Sequence, residues 1–293
     1  MPGSKFCKTI YGTSLAALGI LQFLFDYFIA SIPGPDSWIG VSFQLIGFVY
    51  KICLITMSLA IVVNYKTRIT SIALATLLLA WIIFRHIPLV IFNITDPAEI
   101  NYMCFGFAIS GGAFFVAGST RDNISHPKKY FMLSGLWSPY AIGKFFFGIP
   151  IIVFGLQHVL YAEFISSVIP NWIPGKFFWA YATGVVLICA GISILSDIKI
   201  KWSTLWLGVM INLWVLIVHL PAVIMNPKDG YEWTSLFQSV AISASAFLLR
   251  KNLATELPFN QSPKHKDREL NRGNVKHRIP MSPRKPQIKT LNP

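Results

Sequence analysis

The sequence predicts an all-α membrane protein of about eight transmembrane helices, arranged as two parallel four-helix repeats with both termini in the cytoplasm. Three observations predict this fold: an apolar composition, long apolar runs along the chain, and a polar pattern that occurs twice. Of the 293 residues, 54% are hydrophobic and 13% are charged. A soluble protein carries about 25% charged residues. The composition is therefore typical of a chain that lies in lipid.

Eight apolar segments approach the length of about 20 residues that a spanning helix needs. They are 9–32, 39–63, 68–92, 101–118, 143–166, 177–196, 203–225 and 234–250. Basic residues concentrate in the loops after the second and sixth segments, as in Lys66 and Lys199, whereas the loops after the third and seventh carry acids such as Asp96 and Asp229. By the positive-inside rule, both termini are cytoplasmic.

A polar pattern in the first half returns in the second half without a gap. It begins with His-x-Pro and continues with Asn, Asp and Glu, at 86–99 and again at 219–232. We call this alignment, which pairs His86 with His219, the histidine register. A second ungapped alignment, the lysine register, pairs Lys8 with Lys144 and extends to Cys53 and Cys189.

Repeats of such long period indicate duplicated modules. Because four helices per copy is an even number, each copy enters and leaves the membrane on the same side. The copies therefore run parallel about a pseudo-twofold axis.

The chain divides into four parts: a first repeat at 8–118, a linker at 119–142, a second repeat at 143–250 and a tail at 251–293. The tail holds ten Lys or Arg residues against three acids. Its polar composition predicts disorder, and its charge favours contact with anionic lipid on the cytoplasmic face. With one aromatic residue and no folded platform, it is not expected to bind nucleic acid.

The spacing of reactive residues indicates no metal site and makes no cofactor evident. The four cysteines form no Cys-x-x-Cys pair, so zinc sites and disulfide frameworks are not expected. No nucleotide-binding loop and no Ser/His/Asp order occurs. The sequence favours a protein that is not an enzyme.

The two His-x-Pro elements are the first candidate site, with His86 and His219 near the outer ends of the third and seventh helices. Proline kinks a helix and frees a carbonyl one turn earlier. The histidines either lie at the lipid headgroups or flank a pseudo-symmetric site that titrates or binds a ligand. Beyond them, Asp96 and Asp229 fit the capping of the next helices better than metal binding.

Residues that differ between the copies are further candidates. Four polar residues align with unlike partners: Arg85 with Val218, His158 with Gln22, Glu163 with Tyr27, and Lys51 with Leu187. Charges within spans must face protein or water and find a partner. For Lys51, midway along its helix, the expected counter-charge is Asp26 on the neighbouring helix. Glu163 also fits snorkelling to the outer surface.

The outer half of the second repeat is expected to hold an aromatic-walled pocket. His158, Glu163 and His219 are expected to converge there, beside Gln157. The pocket walls would come from Trp172, Trp179, Tyr181 and Trp214. The alternative for these aromatic residues is an ordinary belt at the membrane surface. The candidate ligand or proton site therefore comprises His86, His219, His158, Glu163, Arg85 and Gln157.

Several motifs in the second half resemble the DoxX-like family of small bacterial membrane proteins. They are Gly-Leu-Gln-His-Val-Leu-Tyr-Ala-Glu-Phe at 155–164, Val-Ile-Pro-Asn-Trp-Ile-Pro at 168–174, Phe-Trp-Ala-Tyr-Ala-Thr-Gly at 178–184 and Ala-Gly at 190–191. The resemblance covers about residues 145–250, and the first half is similar only through the internal repeat. It implies a bacterial inner-membrane protein that is an accessory or assembly component of a quinone-linked redox system. Quinone is then the implied cofactor and a membrane oxidoreductase the implied partner, but no catalytic residue is implied.

Two other functions stay open at this point. A duplicated bundle with charges inside its spans also fits a small-solute transporter or binding protein whose pathway follows the pseudo-twofold axis. A membrane scaffold that recruits partners through the basic tail is the third hypothesis.

Overall fold

The computed structural model describes residues 2–25, 38–92, 94, 96–120 and 138–260. Within these ranges the chain is helical and contains no strand. The helices are α1 Pro2–Leu24, α2 Trp38–Val62, α3 Thr67–Trp81, π1 Ile82–His86, α4 Ile87–Phe92, α5 Pro97–Gly118, α6 Pro139–Leu160, α7 Ala162–Val168, α8 Lys176–Ser196, α9 Ile200–Trp214, π2 Val215–His219, α10 Leu220–Met225 and α11 Gly230–Asn260. The predicted all-α class is confirmed.

Six helical segments in the described part are long and apolar enough to cross a membrane. They are Gln44–Val62, Thr67–Phe92, Pro97–Gly118, Pro139–Leu160, Lys176–Ser196 and Ile200–Met225. Two of them contain a π-helix between two α-helices, so α3, π1 and α4 form one continuous span, as do α9, π2 and α10. These six apolar helices indicate a multi-pass membrane protein.

Several predicted helix ends move for identifiable physical reasons. The fourth segment, predicted from residue 101, begins at Pro97 because the Asp96 carboxylate accepts the backbone N–H of Ala98 at 2.8 Å. In the second half Asp229 accepts the N–H of Tyr231 at 2.8 Å. The predicted capping role of both aspartates is therefore confirmed.

One predicted segment is divided in the structure, and another is described only in part. The segment predicted at 143–166 divides at Tyr161, where the backbone leaves helical geometry (φ −112°, ψ 35°) and α7 begins. The first segment, predicted at 9–32, is helical to Leu24, and its residues 26–32 lie outside the described residues. Residues 121–137 of the predicted linker lie outside the described residues, as does the tail from residue 261 onward.

The core of the bundle lies where α1, α5, α6 and α11 meet. Gly111 on α5 sits against α6, where an added Cβ would come within 2.9 Å of the Gly143 carbonyl oxygen. Gly112 sits against α11, where an added Cβ would collide with Ser245. The hydroxyl of fully buried Tyr11 donates to the Ile109 carbonyl and joins α1 to α5. Small residues thus allow close helix approach at the centre.

Several local features recur at positions that are equivalent in the histidine register. Buried Ser110 donates to the Ala75 carbonyl at 3.2 Å, and buried Ser243 donates to the Gly208 carbonyl at 2.9 Å. The other recurring features are the π-helices at 82–86 and 215–219, the left-handed residues Lys66 and Lys199, and the positive φ angles of Asn64 and Asp197. Residues that pair in the histidine register therefore have similar local geometry or contacts at these positions.

The contacts of two glycine pairs define the correspondence between α2 and α8. A Cβ added at Gly12 would meet Val62, whereas a Cβ added at Gly148 would meet Leu195. A Cβ added at Gly19 would meet Ile55, whereas a Cβ added at Gly155 would meet Ile188. The glycines pair in the lysine register, whereas the residues that they face pair in the histidine register.

The lysine register therefore describes the first helix of each half, and the histidine register describes the second helix. The pairing of Cys53 with Cys189, made in the lysine register, is displaced by almost one helical turn relative to these contacts. The pairing of Lys51 with Leu187 is displaced in the same way. In the histidine register, which the contacts support for α2 and α8, Lys51 corresponds to Gly184, and Tyr50 corresponds to Thr183.

Candidate functional site: a cavity in the second half

A cavity of about 660 Å³ lies among α5, α6, α7, α8, α9, π2, α10 and α11. This volume falls within the range of about 300–1,000 Å³ that is typical of small-molecule sites. Its walls are mainly apolar and include Phe105, Ile151, Phe154, Leu187, Met210 and Ile242. Such walls suit the apolar part of a ligand.

The cavity runs from one end of the bundle to about its middle. Its lining on α11 extends from Tyr231 to Ile242, which at 1.5 Å per residue spans roughly 16 Å. The first residues of α5, including Pro97, line the same end. We call this end the acidic end, because Asp96, Glu99, Asp229 and Glu232 lie in or beside its loops. The cavity therefore extends from the acidic end into the helices.

His158 lines the cavity from α6 with a defined hydrogen-bonding edge. Its Nδ1 lies 2.8 Å from the Phe154 carbonyl oxygen, one turn earlier on the same helix. A carbonyl oxygen can only accept, so Nδ1 carries the hydrogen. Neutral imidazole then has an acceptor lone pair on Nε2. This edge of the ring points away from the α6 backbone.

His219 lines the cavity at the end of π2. Pro221 has no N–H to donate, and the preceding turn widens, so that the Leu220 N–H bonds the Val215 carbonyl in a π-helical turn. The kink expected from proline thus takes the form of a π turn, which is frequent at functional sites. The His219 Nε2 lies 3.2 Å from the Ser239 hydroxyl oxygen on α11.

The equivalent histidine of the first half has a different environment. His86 also ends a π-helix, but its Nδ1 is buried and has no hydrogen-bond partner among the described residues. Gly106 occupies the position equivalent to Ser239, and an added Cβ there would meet Ile82. The two His-x-Pro elements therefore share a backbone and differ in their side-chain contacts.

The remaining residues of the predicted pocket divide into two groups. Gln157 lines the cavity, and its amide donates to the Pro97 carbonyl at 3.1 Å, which ties the end of α6 to the start of α5. Trp179 and Trp214 also line it, with ring centroids 6.2 Å apart in an edge-to-face arrangement. Glu163, Trp172 and Tyr181 are exposed and lie outside the lining. Of the three residues expected to converge, His158 and His219 line the same cavity and Glu163 does not.

The charged candidates of the first half lie outside the cavity lining. Arg85, on π1, is half-buried and interacts electrostatically with Glu99. Lys51 is buried, and its Nζ lies 5.0 Å from the centroid of the Phe23 ring, within the range of a cation–π contact. Its expected partner, Asp26, lies outside the described residues.

Thr183, Ser239 and Glu232 are among the lining residues that were not predicted as part of the site. Glu232 lies at the acidic end, where burial and the neighbouring Asp229 raise the pKa of its carboxyl. The signal for Thr183 was a difference between the copies, Tyr50 against Thr183, which becomes visible only in the histidine register. Ser239 stands opposite Gly106 in that same register.

Comparison with known proteins returned no matching family model, no similar curated protein and no similar solved structure. Within the described residues, no three His, Cys, Asp or Glu side chains are grouped so that they could hold a metal ion. The function is therefore inferred from the cavity and from the side chains that line it.

Proposed function

We propose that this protein is a membrane-embedded binding protein for a small, largely apolar ligand, which the second-half cavity holds. The observation that carries the proposal is the cavity of about 660 Å³, with apolar walls and His158 and His219 among its lining. A few polar groups in a mainly apolar pocket are the usual composition of a ligand site.

We further propose that the ligand site serves a quinone-linked redox system of the bacterial inner membrane, in which this protein is an accessory or assembly component. The support is the resemblance of residues 145–250 to the DoxX-like family. The position of the cavity agrees with this role, because an apolar site within the helices suits a ligand that dissolves in lipid.

The proposed architecture is eight spanning helices in two parallel repeats, with both termini cytoplasmic. Support comes from the features that recur in the histidine register, and from Gly112 and Ser245, which are equivalent in that register and lie against each other. Equivalent residues meet in this way on a twofold axis. The basic loops at Lys66 and Lys199 lie at the end of the bundle opposite the acidic end, and the positive-inside rule favours a cytoplasmic position for them.

Packing on this axis favours a binding protein over a transporter. The transporter hypothesis needs a pathway along the axis. Gly112, Ser245 and the fully buried Tyr11 instead meet there in close contact.

The first half has a filled site where the second half has a cavity. The Tyr50 ring stacks on Trp81 with centroids 4.4 Å apart and an interplanar angle of 27°. In the histidine register these residues correspond to Thr183 and Trp214, which both line the cavity. The smaller threonine leaves the space open, so we assign ligand binding to the second half.

The test is to purify the wild-type protein and Thr183→Tyr into lipid nanodiscs, and to compare the extracted small molecules by mass spectrometry. We expect a quinol, recovered as such or as the quinone after air oxidation during extraction, to accompany the wild type and to be lost from Thr183→Tyr, because the new ring fills the cavity. Val185→Tyr, on the lipid-exposed face of the same helix, is the matched control and should retain it.

Identical extracts from all three proteins would contradict the binding function. Another apolar molecule, present in the wild type and lost from Thr183→Tyr, would keep the binding function and overturn the role in quinone-linked redox chemistry. Co-purification of a membrane oxidoreductase with the wild type is the further result expected of an accessory component.

A further inference from the structure

We infer that the cavity selects a phenol-type ligand, an aromatic ring whose hydroxyl donates a hydrogen bond to Nε2 of His158. The inference rests on the proposed binding function and names the chemical class of its ligand. Quinols belong to this class, whereas quinones carry carbonyl groups that only accept hydrogen bonds.

The first half of the chain contains a phenol in the equivalent place. Tyr50 lies against the face of Trp81, with ring centroids 4.4 Å apart. At the corresponding positions of the second half, Thr183 and Trp214 line open space. A ligand ring against Trp214 would restore the stacked pair that the first half forms with its own side chain. The chain thus shows which chemical group fits beside this tryptophan.

The hydrogen bond of His158 defines the polarity that a ligand must have. Its Nδ1–H is committed to the Phe154 carbonyl, so Nε2 of the neutral ring can only accept. Among the residues that the structure describes, Nε2 has no hydrogen-bond partner. A polar atom in a largely apolar cavity gains most from a ligand that satisfies it. A hydroxyl donor does so, whereas an ether or a carbonyl does not.

The other walls accept a flat ring without restricting its polar group. Trp179 meets Trp214 edge to face, with an interplanar angle of 80°. Phe105 and Phe154 are tilted against each other, with centroids 4.7 Å apart. Aromatic rings favour such edge and offset contacts with a further ring. The His219–Ser239 pair can either donate or accept, so the discrimination comes from His158.

The probes are 2-naphthol and its methyl ether, 2-methoxynaphthalene, which have the same ring system and differ in the hydroxyl hydrogen. Binding to protein in nanodiscs is measured by equilibrium dialysis, with Thr183→Tyr discs as the blank for partition into lipid. We expect the wild type to bind 2-naphthol at least about tenfold more tightly than the ether, since the ether leaves the Nε2 acceptor unsatisfied.

His158→Phe keeps a ring and removes the acceptor, so the affinity ratio between the two probes should fall to about one. His158→Gln is the second variant, because Gln22 stands at the equivalent position of the first half. An amide donates as well as accepts, so the ratio should also narrow in this variant. Val185→Tyr should keep the wild-type ratio.

Each other result overturns a defined part of this account. Equal affinity of the wild type for both probes would overturn the phenol inference and leave the binding function standing. An equal loss of both probes in the His158 variants would give His158 a structural role only, and would also overturn the inference. No binding of either probe above the Thr183→Tyr blank would overturn both the inference and the proposed binding function.

Discussion

The contact between Gly112 and Ser245 makes a specific prediction about exchange of the two residues. In Gly112→Ser, the added Cβ would collide with Ser245 and lie 2.7 Å from Cε2 of Tyr11. Tyr11 has little freedom to move, because it is fully buried and its hydroxyl is bound to α5. Overpacking of this kind costs about 1–3 kcal/mol, and we expect the free energy of unfolding to fall by about 3 kcal/mol.

The reverse change alone should cost less. Ser245→Gly introduces a glycine within a helix, which costs about 1 kcal/mol. The double variant, Gly112→Ser with Ser245→Gly, exchanges the two residues across the proposed axis. The helix-propensity costs of the lost and gained glycine cancel, and the serine side chain on α5 takes the space that the Ser245 side chain occupies in the wild type. The double variant removes the collision with Ser245 but keeps the close contact with Tyr11, so we expect it to recover only part of the loss, with a coupling energy of about 1–2 kcal/mol.

The assay is unfolding in mixed micelles, titrated with a denaturing detergent and followed by loss of helical circular dichroism. The matched control is the exchange of Gly106 and Ser239. These residues are also equivalent in the histidine register, but they face Ile82 and His219 instead of each other. Their single effects should therefore add. If the effects of Gly112→Ser and Ser245→Gly on the free energy of unfolding simply add, the two residues do not share one space, and the position of the proposed axis is refuted.

Three further predictions concern single side chains, measured in the same unfolding assay. Asp197→Asn should cost less than about 1 kcal/mol, because Asp197, the ion-pair partner of Lys144, has a side chain that is 58% exposed; a larger loss would contradict a surface pair. Ser243→Ala should cost about 0.5–1.5 kcal/mol, because its buried hydroxyl bonds a carbonyl on α9, and no change would show that the bond contributes nothing. The pKa of the Glu232 carboxyl is raised in the fold, so the folded state holds this proton more tightly than the unfolded chain does. The free energy of unfolding should therefore rise as pH falls through that pKa. Glu232→Gln should weaken this pH dependence, and an unchanged pH dependence in the variant would contradict the prediction.

The long apolar elements and the aspartate caps were predictable because they depend on local sequence. A span needs only its length of apolar residues, and a cap such as Asp96 needs only the residues of the next turn. That His158 and His219 line one cavity was also accessible from the sequence, since both lie near the same end of their helices. The break at Tyr161 was not visible, and it carries Glu163 on α7 away from the cavity.

A pocket in the second half was predicted, but its full lining was not, because the lining depends on packing between the helices. A match between Cys53 and Cys189 supported the lysine register for α2 and α8, which hides the pairing of Tyr50 with Thr183. Only the glycine contacts reveal the change of register. The form of the proline distortion was equally hidden: the missing N–H of Pro221 predicts a disturbance, but it does not predict that the disturbance is a π turn.

The most direct test of ligand binding in the second half is a crystal structure of the protein soaked with 6-bromo-2-naphthol, recorded at the bromine absorption edge. The account predicts one anomalous peak inside the cavity, with the ring against Trp214 and the hydroxyl within hydrogen-bond distance of Nε2 of His158. It predicts no peak beside Trp81, where Tyr50 fills the equivalent space. An empty cavity, or bromine only on the lipid-facing surface, would contradict it.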